Sequence, residues 1–404
     1  MKSILSILAL AALSAEAAST VGDVAFAHDP VSKVATITYT LGGDDAIVML
    51  SAKTNGVAVA DDLICHAGGD VNRLVRADGA PKTVTWRVLA DLPEVDPSAL
   101  EVSFKLWSKA HPPKYMTVDL DLGDVNYYLS ERMLPDGGLT NDTYRTAKLV
   151  MALIPAAGNT FVQGSPTTEA DRVAGAGREA QRLVSFTNDF YMGVFIVTDA
   201  QHKRICGGTA DLVNACIPVL VSYDNLRGGV DDGINWPTTG HAVAPGSRIQ
   251  SWRDKTGIDF DLPTSAQWEY ACRAGCGDTW YWGGNHTKSG HEYDKLDPYA
   301  WTEKNSGNVR HRVGEKIPNA FGLYDMMGNV WEHCLDWAAN ITLPAAGQAL
   351  VDPPGATATS GSRVGRGAMY GHAAESMRSA KVNPRAPNSV SDGYRLVCRP
   401  EFTW

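Results

Sequence analysis

Leu262-Pro263-Thr264-Ser265-Ala266-Gln267-Trp268-Glu269-Tyr270-Ala271-Cys272-Arg273-Ala274-Gly275 is a helix written with both of its ends. Thr264 followed three residues later by Gln267 is a capping box, in which each side chain satisfies a backbone N–H that the first turn leaves open. Gly275, after Trp268, Tyr270 and Cys272, supplies the stop. The device occurs once more upstream, with Thr198 and Gln201 opening a short helix and Gly207 ending it. From Leu149 onward such short capped helices sit among long Gly-, Trp- and Asn-rich stretches. That texture predicts a loop-rich α+β domain.

Upstream the period changes from helical to twofold. Ala35, Ile37, Tyr39 and Leu41 alternate with Thr36, Thr38 and Thr40, a pattern for a strand buried on one face. The alternation returns at Val84, Trp86 and Val88, at Leu100, Val102, Phe104 and Leu106, and at Met116, Val118, Leu120 and Leu122. Asn55-Gly56 marks a tight hairpin, since both residues accept positive φ. Residues 21–122 are therefore expected to form a small all-β sandwich of immunoglobulin-like type. Residues 123–146, with the turn Pro135-Asp136-Gly137-Gly138, are expected to be a linker, and 147–402 the second domain.

The chain has 404 residues, long for one core, and 44% of them are hydrophobic. Its 36 basic and 45 acidic residues leave a net charge of −9 with no basic run, which excludes nucleic acid as the main partner. Lys2, the apolar stretch Ile4 to Leu13 and Ala15-Glu16-Ala17 have the layout of a cleaved signal peptide over residues 1–17. No later stretch is apolar enough to span a membrane. The mature protein is thus expected to be secreted, periplasmic or at the cell surface. The seven cysteines, Cys65, Cys206, Cys216, Cys272, Cys276, Cys334 and Cys398, include no CxxC motif, and an odd number cannot all pair within one chain.

Three further stretches follow the helix in order: Pro318-Asn319-Ala320-Phe321-Gly322-Leu323-Tyr324-Asp325-Met326-Met327-Gly328-Asn329-Val330-Trp331-Glu332, then Arg363-Val364-Gly365-Arg366-Gly367, then Gly393-Tyr394-Arg395-Leu396. Phe190-Tyr191-Met192-Gly193 precedes them all. This ordered set resembles the formylglycine-generating enzyme (sulfatase-modifying factor) family over about residues 147–402, and the chain is expected to be bacterial. The resemblance implies a compact variant of the C-type-lectin-like α+β fold. It also implies a structural calcium site at Asp325, Gly328, Val330 and Glu332, where two carboxylates and two carbonyls offer the hard oxygens that calcium prefers.

The resemblance breaks at the family's catalytic centre. Working members hold copper on two cysteines shortly after the Arg-Val-Gly-Arg-Gly stretch, because soft thiolates select Cu(I). Here that region reads Gly367-Ala368-Met369-Tyr370-Gly371-His372-Ala373-Ala374-Glu375-Ser376-Met377-Arg378, and no cysteine occurs between Cys334 and Cys398. A family disulfide position is also altered, with Cys272 kept and Ser379 at its expected partner. Copper chemistry is therefore not expected. His333, Cys334 and His372 are weak candidates for a different metal. Trp280, Tyr281, Trp282 and Trp301 are either core aromatics or the lining of a surface groove. The expectation is a pseudoenzyme that binds a protein or glycan at its lectin-like surface. The alternative is a metal-dependent oxidase or protein-modifying enzyme with an altered metal centre.

Overall fold

A computed structural model describes residues 19–172, 177–209, 211, 213–232, 242–285, 293–341, 343–356 and 361–400. The expected signal segment 1–17 and the last two residues of the expected second domain lie outside them. No helix among the described residues is long and apolar enough to cross a membrane. The chain divides into two units, residues 1–113 with 127–135, and residues 114–126 with 136–404.

The first unit is built from two antiparallel sheets. In one, strands Thr20–Asp29, Val34–Gly42, Lys82–Trp86 and Ala67–Gly69 lie in that order. In the other, Ala46–Thr54 pairs along its length with Leu100–Trp107 and also with Val57–Ala58 and Arg73–Val75. Ala35, Ile37, Tyr39 and Leu41 from the first sheet share a core with Val48, Leu50 and Ala52 from the second, as the alternation predicts. Asn55 and Gly56 take φ of 50° and 76° between the paired residues Thr54 and Val57, the hairpin expected of that dipeptide.

Two expectations fail here. Val88 does not extend its strand. It opens the helical turn Val88–Asp91, held because Asp91 Oδ2 accepts from Trp86 Nε1 and from the backbone of Cys65 and His66. Met116 and Val118 belong to the second unit, because their strand, Tyr115–Asp119, pairs with Lys148–Ile154. Four of that strand's five residues are buried, so it is covered on both faces and does not alternate. The expected linker is structured too, carrying the helical turn Thr143–Thr146 and a left-handed turn at Asp136, Gly137 and Gly138.

In the second unit, Tyr115–Asp119, Lys148–Ile154, Phe190–Gly193 and Val397–Cys398 lie side by side in that order, so the last described strand pairs with Phe190–Gly193 at the sheet edge. Two three-stranded sheets accompany it. One joins Thr160–Gln163, Arg182–Ser185 and Ala349–Val351; the other joins Glu332–Trp337, Arg363–Arg366 and Asn383–Arg385. Helices Asp199–Cys206, Arg248–Thr256 and Ser265–Arg273 are short, and the first and third carry the predicted capping boxes. The third ends one residue earlier than Gly275, on Ala274, a non-glycine at φ 45°. The result is mixed α and β, rich in sheet and poor in helix.

Because the Thr264 side chain and the Gln267 side chain each close an open donor at a half-buried helix end, Thr264→Ala should lower the stability of this unit by about 1 kcal/mol. Urea midpoints at unchanged slope would read this; an unaltered midpoint would contradict the capping role.

A buried carboxylate and guanidinium site

The segment Phe321–Glu332 reaches its site through tight reversals. Asp325, Gly328 and Asn329 all have positive φ, at 55°, 79° and 61°. At Gly328 any Cβ would run into the backbone of Trp301, with which it forms an isolated bridge, so glycine is required there. These reversals bury Asp325 and Glu332, at 1% and 0% exposure.

The two acids differ in what satisfies them. Glu332 Oε2 accepts from Trp268 Nε1 at 2.8 Å and from Arg395 Nε at 3.1 Å, while Oε1 accepts from Arg395 Nη2 at 2.8 Å. Arg395 spends its remaining donors on the carbonyls of Gly193, Val194 and Tyr324, at 2.8, 2.9 and 2.8 Å, so all five guanidinium N–H groups are used. Asp325 Oδ2 accepts from the Gly314 N–H at 2.7 Å, but its Oδ1 is buried with no hydrogen-bond partner. Burial raises the Asp325 carboxyl to about 6, against the opposing pull of the Gly314 N–H and Arg395.

A calcium ion fits this donor set on chemical grounds. Asp325 Oδ1 lacks any partner, and Glu332 keeps one lone-pair position, on Oε1, after its three hydrogen bonds. No three His, Cys, Asp or Glu side chains among the described residues form a metal group, so backbone carbonyls such as those of Gly328 and Val330 would have to complete the coordination.

The other candidates separate. His333 and Cys334 are consecutive on strand Glu332–Trp337, so their side chains leave opposite faces and cannot share an ion. His333 Nε2 donates to the Val221 carbonyl at 3.0 Å, and burial pushes this imidazole's pKa down. His372 instead meets the Trp331 ring edge-on at 5.3 Å. All seven cysteines are free thiols. Cys272 is buried beside Ser379, and its thiol is pushed up to about 12 by burial. The serine therefore stands where a disulfide partner was expected. Among the aromatic residues, Trp280 and Tyr281 are core. Trp282 is half-buried and stacks between Trp280 at 5.4 Å and Tyr299 at 4.2 Å, and half-buried Trp301 stacks on His311 at 3.6 Å.

The sequence did not assign roles to Arg395, Arg366 or Glu269. Glu269 accepts from Arg273 Nε at 2.9 Å, Arg366 Nη2 at 3.0 Å and the Gly164 N–H at 2.8 Å, and all four residues are buried. The available signal was an arginine inside the apolar run Tyr394-Arg395-Leu396-Val397, a charge that only a buried partner permits.

Removing one partner of such a pair strands the other charge. Arg395→Met should cost about 3–5 kcal/mol, and adding Glu332→Gln should recover part of it. Equal stability of the wild type and Arg395→Met in urea would refute this pairing's role. Asp336, also buried, has its carboxyl raised from 3.8 to about 6 by burial. The folded state thus holds this proton more tightly than the unfolded chain. The contribution is fully present below the unfolded value and is lost as pH rises through about 6. Asp336→Asn should therefore reduce the fall in urea midpoint between about pH 4 and pH 6, with Asp325 supplying the remainder; an undiminished fall would exclude Asp336 as a source.

Residues 142–400, more than half of the chain, match the family described as sulfatase-modifying factor enzyme 1-like domain. The formylglycine-generating enzyme of mouse is 26% identical over 238 residues, covering 50% of this chain and 61% of that protein. The formylglycine-generating enzyme of Streptomyces coelicolor is 35% identical over 193 residues, covering 43% of this chain and 60% of that protein. The matched chain thus spans about three fifths of each relative's length. Among solved structures, Treponema denticola variable protein 1 superposes with a TM-score of 0.46 and 23% identity, covering 63% of this chain and 96% of that one. By the extent and order of the match, this chain belongs to the formylglycine-generating enzyme (sulfatase-modifying factor) family.

Proposed function

We propose that this chain is an exported, non-catalytic member of its family, a binding or scaffold protein whose C-type-lectin-like domain follows an immunoglobulin-like sandwich in sequence. The observation that carries the reading is the state of its sulfur. The stretch 367–378 contains no thiol. Cys272 faces a serine, and burial holds the thiols of Cys334 and Cys398 well above their ordinary value. A Cu(I) centre needs accessible thiolates, and these groups favour the protonated, enclosed form. For the binding role, the half-buried stack of Trp282 on Tyr299 offers the kind of aromatic face on which sugar rings or peptide side chains settle.

Calcium belongs to the same proposal as a structural ion. Asp325 and Glu332 would hold it by carboxylate oxygens and Gly328 and Val330 by carbonyls, and the ion would supply the charge that the bare Asp325 Oδ1 lacks. Calcium at about a hundredfold excess over its Kd should raise the thermal midpoint by roughly 5–10 °C relative to chelator, and Asp325→Ala should abolish that rise. An equal shift in both proteins, or none in the wild type, would remove calcium from this site.

The second reading, an oxidase or protein-modifying enzyme with an altered metal centre, is favoured by the activity named for the mouse and Streptomyces relatives. The two readings part in one experiment. Purified protein is assayed for copper and iron, then incubated under oxygen with a cysteine-containing sulfatase peptide. The binding reading expects no redox metal at stoichiometry and an unchanged peptide mass. Loss of the peptide thiol to an aldehyde would establish the enzyme instead.

A further inference from the structure

Away from Asp325 and Glu332 and from the aromatic stacks, the second unit contains a small, partly open recess lined from both three-stranded sheets and the start of helix Ser265–Arg273. Its polar wall is mostly donors. Arg182 uses Nε on Gln163 Oε1 at 2.8 Å, and among the described residues its Nη groups have no hydrogen-bond partner. Arg178 donates Nε to the Ala338 carbonyl at 2.9 Å, and its outer nitrogens are likewise open. Trp337, which also lines the recess, carries a buried Nε1–H with no partner. A buried N–H left bare is costly, so an acceptor arriving here would be favoured.

One acid faces these donors. Asp336 Oδ2 accepts from the Ser265 N–H at 2.6 Å, and Arg182 and Arg366 lie near enough to stabilise its charge. Two guanidiniums and an indole N–H against one carboxylate leave the lining with an excess of positive charge and of donors. The rest of the wall is apolar, with Ile341, Val364 and Val382 among its members. A planar guanidinium fork matches a carboxylate, and an apolar wall matches a short carbon chain. The enclosed space is far smaller than an ordinary ligand pocket, so only the smallest carboxylates, of two or three carbons, would enter it.

We propose that this recess binds a small organic carboxylate, its oxygens on Arg178, Arg182 and the Trp337 indole N–H and its carbon chain against Ile341, Val364 and Val382. The site stands independently of the binding reading above, since it uses neither the aromatic stack nor the calcium residues. Its chemistry separates it from a phosphate site, which would want donors on every side and no apolar wall.

The test is a titration of the full chain with propionate, propionamide and inorganic phosphate, followed by the indole N–H resonances in an NMR spectrum, with Trp337→Phe identifying the relevant peak. Propionate should move the Trp337 resonance saturably and propionamide should not. Arg182→Gln and Arg178→Gln should each weaken propionate at least tenfold, while Asp336→Asn, which removes the one opposing charge, should tighten it several-fold. If Arg182→Gln fails to fold, the half-buried Arg178 still decides the matter. No saturable shift with propionate, equal binding of propionamide, binding of phosphate alone, or wild-type affinity in Arg178→Gln would each overturn the proposal.

Discussion

The second unit is organised around a guanidinium that has no water to turn to. Arg395 is fully buried, and its five donors reach Glu332, Gly193, Val194 and Tyr324. Those partners lie between 63 and 202 residues away in sequence. An unpaired charge in this place would be prohibitive, so the strand Phe190–Gly193, the Tyr324 turn and the strand beginning at Glu332 must arrive together. The same logic repeats at Glu269 with Arg273 and Arg366, and at Arg378 with Glu169 and Glu179. A buried ion pair is a poor source of net stability compared with apolar packing, yet it is a strong constraint on arrangement. In a unit with short helices and many loops, arrangement is what the loops need.

This explains which parts of the molecule were legible in the sequence. Capping boxes at Thr198 and Thr264 and the Asn55-Gly56 hairpin act within four residues, so local chemistry states them in full. The strand at Val34–Gly42 was readable because one face is wet and the other dry. Tyr115–Asp119 was misplaced for the opposite reason. A strand covered on both faces loses its alternation, and its membership is decided by a partner, Lys148–Ile154, some thirty residues on. The ionic network was invisible in the same way. Motif residues such as Glu269 and Arg366 can be quoted in order, yet nothing in their spacing says that they touch.

At the candidate site, sequence and structure agree on composition and differ on roles. Asp325 and Glu332 look equivalent as a list of carboxylates. Folded, Glu332 is the anion of a completed ion pair, whereas Asp325 keeps one bare oxygen and a carboxyl raised to about 6. The bare oxygen belongs to Asp325 alone, while the oxygens of Glu332 already accept three hydrogen bonds. His333 and Cys334 are separated by the simplest rule of a strand, that neighbours point apart, and His372 lies against the Trp331 ring.

Sulfur makes the contrast between scaffold and chemistry sharpest. Ser379 beside Cys272 changes one atom of what would otherwise be a cross-link, and the surrounding packing accommodates it: Ser379 Oγ donates to the Thr279 carbonyl at 3.0 Å and its N–H to the same oxygen at 2.9 Å. A hydroxyl that satisfies itself within the fold asks nothing of an oxidising environment. The unit is held by guanidinium–carboxylate pairs and capped backbone, neither of which needs a thiol, so its fold does not depend on the sulfur that positions 367–378 lack.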